Sequence, residues 1–185
     1  PVAILAQVEL RDMSQGTQDD PRLVAPFLAV RDEVLWSSFA ELKHRVGSFS
    51  KPILELGSGD GRASIYAAKQ LGAYCVGLEL DDSLIDEAKS WAAREGVAGQ
   101  CDFRSEDITQ QQWTGSGRWS AVFVHILPEG IAPLEEALLS LGCPIVCASY
   151  GLTSVRPDAA GAGWEIFNLP GLRAEAGDRA ELLFA

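Results

Sequence analysis

Short apolar runs alternate with helical segments through the middle of this 185-residue chain. The strand-like runs are residues 52–56, 73–79, 100–104, 119–127 and 144–150, and apolar residues recur at helical spacing in 61–71, 81–96 and 131–141. The run 100–104 is weaker, but the central runs are continuously apolar, which is typical of a parallel sheet that helices cover on both faces. The sequence therefore predicts a doubly wound α/β domain with a mainly parallel sheet.

The two ends of the chain carry different patterns. Apolar residues three and four apart predict a helix over about residues 27–46, which we assign to an N-terminal helical extension over residues 1–46. Two late apolar runs, residues 164–169 and 181–184, predict an antiparallel strand pair. We expect one domain over residues 1–185, with the α/β core in residues 50–185.

Charge and apolar run length exclude several classes of protein. The 26 acidic and 15 basic residues give a net charge of −11, which repels a phosphate backbone and argues against a nucleic-acid ligand. No apolar run reaches the roughly 18 residues of a membrane helix. The opening run at residues 2–6 is too short for a secretion signal. Because the sequence begins at Pro1 and not at a methionine, the question whether a targeting segment lies upstream stays open.

Cysteine usage indicates the compartment. The four cysteines lie in or next to apolar runs, show no C-x-x-C spacing, and are Cys75, Cys101, Cys143 and Cys147. Only two histidines are available to complete a zinc site. We therefore expect reduced core thiols, no metal site and a cytoplasmic location.

A glycine-rich loop stands between the first strand-like run and the helix that follows it. Its sequence, residues 55–62, is Glu-Leu-Gly-Ser-Gly-Asp-Gly-Arg. Glycines allow a tight turn and a close backbone approach to a ligand, and the helix N-terminus behind them carries a partial positive charge. A dinucleotide fingerprint needs a small third residue, G-x-G-x-x-G or A. Arg62 occupies that position, which disfavours a dinucleotide-dependent oxidoreductase.

Acidic residues follow three successive strand-like runs or lie within them. Glu55 lies in the first run, Glu79 ends the second run 24 residues later, and Asp107 follows the third. The carboxyl ends of parallel strands meet at one edge of a sheet, so we expect these acids to lie close together. An acid at the position of Glu79 is placed to accept hydrogen bonds from both hydroxyls of a ribose.

These motifs resemble those of class I S-adenosylmethionine-dependent methyltransferases, which have a Rossmann-like fold. The resemblance covers about residues 50–150 and rests on residues 55–61, 77–81 and 106–108. The Gly-Ser-Gly-Asp-Gly-Arg form is similar to a narrower group, the protein-lysine methyltransferases related to the ATP synthase c-subunit methyltransferase. The resemblance implies a seven-strand domain that binds S-adenosylmethionine.

The resemblance also implies roles for individual residues. Glu55 holds the methionine ammonium, Glu79 binds the ribose diol and Asp107 binds the adenine. The full implied cofactor site is Glu55, Gly57, Ser58, Gly59, Asp60, Gly61, Glu79, Leu80, Asp107 and Ile108. The cofactor carries a net positive charge near neutral pH, so an acidic cleft suits it.

In this fold the methyl acceptor enters at the carboxyl end of the fourth strand, here residues 125–130. A lysine acceptor has a reference pKa of about 10.4 and must lose a proton before it reacts. His125 and Glu129 are the candidate bases, and Tyr150 is a candidate wall or hydrogen-bonding group. The Asn/Asp-Pro-Pro-aromatic motif of base-methylating enzymes is absent from residues 125–130.

We therefore expect a methyltransferase that acts on a protein lysine or another amine. A small-molecule acceptor is one alternative. A non-catalytic module of the same fold, which binds the cofactor or a partner protein, is another. The sequence leaves the oligomeric state open.

Overall fold

The computed structural model describes residues 28–170. The helices are α1 (Asp32–Val46), α2 (Arg62–Leu71), α3 (Asp82–Arg94), α4 (Pro128–Ile131) and α5 (Glu135–Ser140). The strands are β1 (Ile53–Leu56), β2 (Cys75–Glu79), β3 (Cys101–Ser105), β4 (Ala121–Val124), β5 (Ile145–Ala148), β6 (Ala159–Gly161) and β7 (Trp164–Phe167). No helix in this part of the chain is long and apolar enough to cross a membrane.

The strands form one seven-stranded sheet in the order β3-β2-β1-β4-β5-β7-β6. β1 to β5 run parallel, and β7 runs antiparallel to both β5 and β6. The strand order reverses between β1 and β4, and open α/β sheets bind ligands in the crevice at the carboxyl ends of such strands. The predicted fold class, with an antiparallel pair at the C-terminal side of the sheet, is confirmed.

Apolar clusters cover both faces of the sheet. On one face Phe39 of α1 stacks against Tyr66 and Phe123, with ring centroids 5.8 and 5.3 Å away. On the other face Leu138 of α5 is fully buried in a cluster that includes strand residues such as Val124. The strands between them are buried on both faces, which explains why their sequences are apolar at every position except Glu55 of β1.

Proline breaks the helix that the sequence predicts over residues 131–141. The helical segment begins earlier, at Pro128, and divides into α4, a 3₁₀ turn at Ala132–Leu134 and α5. Pro133 supplies no backbone N–H and its ring disfavours a regular helical turn before it. The spacing of the apolar residues correctly predicts a helical segment, but it does not predict the break at this proline.

The C-terminal strand pair differs from the sequence prediction in its partner. The run 164–169 forms β7, but it pairs with β5 and with the short strand β6. β6 has the sequence Ala-Ala-Gly, which gives no apolar or β-branched signal. The run 181–184, the partner expected from the sequence, lies outside the described residues, as do residues 1–27 of the proposed N-terminal extension.

Gly61 is expected to be less tolerant of a side chain than Gly72, although both have a positive φ, of +77° and +64°. A Cβ at Gly61 would lie 2.5 Å from the Phe103 ring and 2.8 Å from Ala88 Cβ, whereas a Cβ at Gly72 meets nothing within 4 Å. Both alanine variants incur left-handed backbone strain of about 1–2 kcal/mol. Overpacking should cost Gly61→Ala about 1–3 kcal/mol more. Urea unfolding measures the difference, and equal losses would contradict this packing.

Candidate active site

The glycine-rich loop joins the carboxyl end of β1 to the start of α2. Gly57, Gly59 and Gly61 all have positive φ, of +66°, +51° and +77°. Other residue types strongly disfavour this region, so the turn requires glycine at these positions. The loop is held against β2 because Ser58 N donates to Leu78 O at 2.9 Å. This bond fixes the loop backbone at the carboxyl ends of β1 and β2.

Glu79, at the end of β2, fastens the loop with its carboxylate. Oε2 accepts a hydrogen bond from Gly59 N at 2.8 Å, and Oε1 accepts bonds from Leu80 N at 2.7 Å and Asp81 N at 3.1 Å. A carboxylate has about four acceptor positions. Three positions are occupied, so Glu79 can accept a hydrogen bond from one ribose hydroxyl without losing any of these bonds. It can accept a bond from the second hydroxyl if that hydroxyl replaces one backbone N–H donor. This donor and acceptor set fits the ribose of the expected cofactor.

Glu55 is buried beneath the loop, with 5% of its surface exposed. Its Oε2 accepts hydrogen bonds from Ser64 N at 3.0 Å and Ser64 Oγ at 2.6 Å, which ties β1 to the first turn of α2. Burial raises the pKa of Glu55 to about 8; the Ser64 bonds oppose this rise, and the charges of Asp60 and Glu79 add to it. The role toward the methionine ammonium stays a prediction.

Asp60 is buried and forms an ion pair with Arg62, which is partly buried. Arg62 Nε lies 3.1 Å from both carboxylate oxygens of Asp60, and Nη2 lies 2.5 Å from Oδ2. Arg62 Nη1 also donates to Val30 O at 3.3 Å, and the guanidinium carbon lies 5.9 Å from the centroid of the Trp91 ring. In the sequence Arg62 stands out only as a bulky residue. The Asp-Gly-Arg spacing is the available signal for this pair.

Two loop residues contribute backbone and packing to the site. Ser58 Oγ is buried and has no hydrogen-bond partner among the described residues, and it faces Gly77, where a Cβ would lie 2.8 Å away. The Ser58 side chain therefore points to β2. Ser58 contributes its backbone to the loop. Gly61 packs against Phe103 in the same way.

Asp107 and Ile108 lie beyond the end of β3. Asp107 Oδ1 accepts hydrogen bonds from Thr109 N at 2.9 Å and Thr109 Oγ1 at 2.6 Å, so it caps the 3₁₀ turn Ile108–Gln110. Ile108 is buried in the apolar cluster on the α5 face, whereas Leu80 is half-buried after β2. The adenine-binding role of this turn stays a prediction.

His125 lies directly after β4, and its ring Nδ1 is 3.1 Å from Ala148 O at the end of β5. A carbonyl oxygen only accepts hydrogen bonds, so Nδ1 carries the proton and Nε2 is left as the acceptor. Burial lowers the pKa of His125; the Ala148 bond opposes this, and the charge of Arg62 lowers it further. The ring is therefore a neutral base near neutral pH.

The two other candidate acceptor-site residues lie on different elements of the fold. Tyr150 follows β5 and is exposed, and Ser149 before it has a φ of +66°. Ser149 N donates to Gly163 O at 2.8 Å, and a cavity of about 190 Å³ beside this contact is lined in part by Tyr150 and Glu165. Glu129 lies in the first turn of α4 with its side chain exposed. The structure thus brings the ends of β4 and β5 together, with Glu129 on a separate element.

The strand order, the glycine-rich loop after β1 and the acid after β2 define the class I methyltransferase fold. The fold is similar to that of an RNA methyltransferase from Salinibacter ruber solved with S-adenosylhomocysteine, with a TM-score of 0.69 and 24% identity over 78% of this chain and 95% of that one. It is also similar to a methyltransferase from Geobacter sulfurreducens, with a TM-score of 0.51 and 20% identity over 64% of this chain and 48% of that one.

Residues 55–159 match the family model described as the ANTKMT methyltransferase domain, and the chain belongs to this family. It is 29% identical over 140 residues to the rat ATP synthase c-subunit lysine N-methyltransferase, covering 74% of this chain and 61% of that protein. It is 31% identical over 117 residues to the human protein of the same name, covering 63% of this chain and 47% of that protein. The chain thus spans about half to three fifths of these relatives.

The buried carboxyl of Glu55 predicts a specific dependence of stability on pH. Its folded pKa of about 8 lies above the ordinary 4.5, so the folded state binds an extra proton between these values. The contribution to the free energy of unfolding is complete below about pH 4.5 and is lost as pH rises to about 8. Relative to Glu55→Gln, the free energy of unfolding of the wild type should fall by about 1.4 kcal/mol per pH unit in that window. Urea unfolding measures the free energy of unfolding of both proteins at each pH. The same pH dependence in wild type and Glu55→Gln would refute the raised pKa of Glu55.

Proposed function

We propose that this chain is an S-adenosylmethionine-dependent methyltransferase that methylates a lysine side chain of a protein. The observation that carries the proposal is the glycine-rich loop fastened by Glu79 within the region that matches the family. The names of the mammalian relatives specify lysine methylation of the ATP synthase c-subunit. The c-subunit is therefore the first acceptor to test.

The acids at the carboxyl edge suit this cofactor better than a dinucleotide. When bound, S-adenosylmethionine supplies a methyl group on a positively charged sulfur. The negative charges of Asp60 and Glu79 act on Glu55, and they attract a cation where they would repel a pyrophosphate. A bound cation would in turn lower the raised pKa of Glu55. In our proposal Glu79 holds the ribose, the loop backbone borders the methionine, and the Asp107 turn receives the adenine.

The geometry at the end of β4 supports a lysine acceptor. A lysine ammonium has no lone pair, so it must lose a proton before its nitrogen can react. In our proposal His125 Nε2 accepts that proton, because Nδ1 is committed to Ala148 O and the ring is neutral. Tyr150 borders the approach of the acceptor. The chain's remaining contribution is orientation, which can be worth roughly 7–11 kcal/mol of the barrier.

Glu79→Gln is expected to weaken cofactor binding, because an amide keeps one acceptor oxygen and turns its NH2 group toward backbone N–H groups that the carboxylate accepts. Hydrogen bonds to a charged acceptor are worth about 1.5–3 kcal/mol and neutral ones about 0.5–1.5 kcal/mol, so the Kd for S-adenosylhomocysteine should rise about tenfold. Isothermal titration calorimetry measures this, with Glu136→Gln on the exposed side of α5 as the matched control. Binding of NAD in place of either sulfur cofactor by the wild type would contradict the proposal.

His125→Asn is expected to lower turnover without weakening the cofactor complex. The asparagine amide can keep the bond to Ala148 O, but it removes the acceptor Nε2. Loss of a general base typically costs about 10²–10⁴ in rate, so we expect kcat for labelled methyl transfer to fall at least about a hundredfold. The acidic limb of the wild-type pH–rate profile should disappear. An unchanged kcat would leave His125 a structural residue.

A further inference from the structure

Arg62 joins three parts of the protein at the carboxyl edge of the sheet. Its guanidinium makes a bidentate contact with the buried Asp60 in the glycine-rich loop, lies over the Trp91 ring of α3, and donates to the carbonyl of Val30. Only an arginine offers this planar set of donors, because a lysine ammonium is a point charge. Arg62 therefore connects the loop to the chain that leads into α1.

The chain held by Arg62 runs from the start of α2 to the residue that precedes β7. One end, Val30, is bonded to Arg62 beside the end of β1. At the other end Val34 Cγ2 and Arg31 Nη2 lie 3.1 and 3.2 Å from the point that a Cβ on Gly163 would occupy. The carbonyl of Gly163 accepts a hydrogen bond from Ser149 N, directly after β5. β4 lies between β1 and β5 in the sheet, so residues 30–34 bridge the two strands on either side of His125.

We propose that Arg62 is a positioning residue that fixes residues 30–34 as a wall of the acceptor entrance. The inference rests on the proposed function, because it assigns the entrance to the methyl acceptor. The pairing with Asp60 fixes the arginine, and the arginine fixes Val30. Loss of Arg62 should therefore loosen this wall and weaken productive acceptor binding, whether or not Asp60 retains its charge.

A simpler role for Arg62 would be to neutralise Asp60 and so preserve the loop. Two variants separate the roles: Arg62→Met leaves Asp60 buried without its cation, and Asp60→Asn/Arg62→Met removes both charges. Arg104→Met is the matched control, because Arg104 pairs with Asp102 at the same spacing but lies exposed on β3. All variants are compared in the full chain after circular dichroism and thermal unfolding confirm that each is folded.

The first readout is amide hydrogen exchange over residues 31–36, which needs neither cofactor nor acceptor. Val34 N and Leu35 N both donate to Arg31 O in the first turn of α1. We expect exchange there to rise at least about tenfold in both Arg62 variants, which corresponds to about 1.4 kcal/mol of lost protection, and to stay unchanged in Arg104→Met. Unchanged exchange in both Arg62 variants would overturn the inference.

The second readout separates the acceptor from the cofactor. Acceptor kcat/KM is measured at saturating S-adenosylmethionine, which removes the effect of any change in cofactor affinity. We expect it to stay about ten- to a hundredfold below wild type in both Arg62→Met and the double variant. Recovery of the acceptor kcat/KM in the double variant would overturn the inference, because neutralising Asp60 would then be the whole role. If Arg62→Met does not fold, Arg62→Lys is used, with the same increase in exchange expected.

Failure of the inference is distinguishable from failure of the proposed function. A wild-type chain that binds no sulfur cofactor and transfers no methyl group refutes the proposed function. Unchanged amide exchange in the Arg62 variants refutes the positioning role, whatever the activity of the wild type.

Discussion

The site depends on satisfying the backbone N–H groups of the glycine-rich loop. A tight turn with three positive φ angles leaves donors that helix and sheet bonds do not use. Glu79 accepts the N–H of Gly59 from one side, and Glu55 accepts the N–H of Ser64 at the start of α2 from the other. These two carboxyl groups fix the turn, and the turn fixes the crevice between β1 and β4.

The use of carboxyl groups to hold the loop concentrates acidic groups in a small volume. Glu55 is buried near Asp60 and Glu79, and its pKa rises to about 8 chiefly because burial disfavours the charged form. Arg62 offsets part of the charge by pairing with Asp60. A bound cation would be stabilised by the remaining negative charge, so the arrangement that holds the loop is also suited to a sulfonium cofactor.

The sequence predicted the parallel core because buried strands of a parallel sheet are continuously apolar, and their pattern is local. It predicted that Glu55 and Glu79 lie close together, because the carboxyl ends of adjacent parallel strands meet at one edge, and the charge of Glu79 does act on Glu55. It did not predict β6, whose residues are small, or the break at Pro133. The contact of Arg62 with Val30 was also missed, because the two residues lie 32 positions apart and only the fold brings them together.

The central claim is that this acidic crevice supports methyl transfer to a lysine side chain. The most direct test incubates the chain with S-adenosylmethionine labelled at the methyl group and with the ATP synthase c-subunit, then locates the label by mass spectrometry. We predict methylation of a lysine nitrogen that Glu79→Gln slows and that an acceptor with arginine at that lysine abolishes. Label on RNA or on a small metabolite, with none on protein, would contradict the claim.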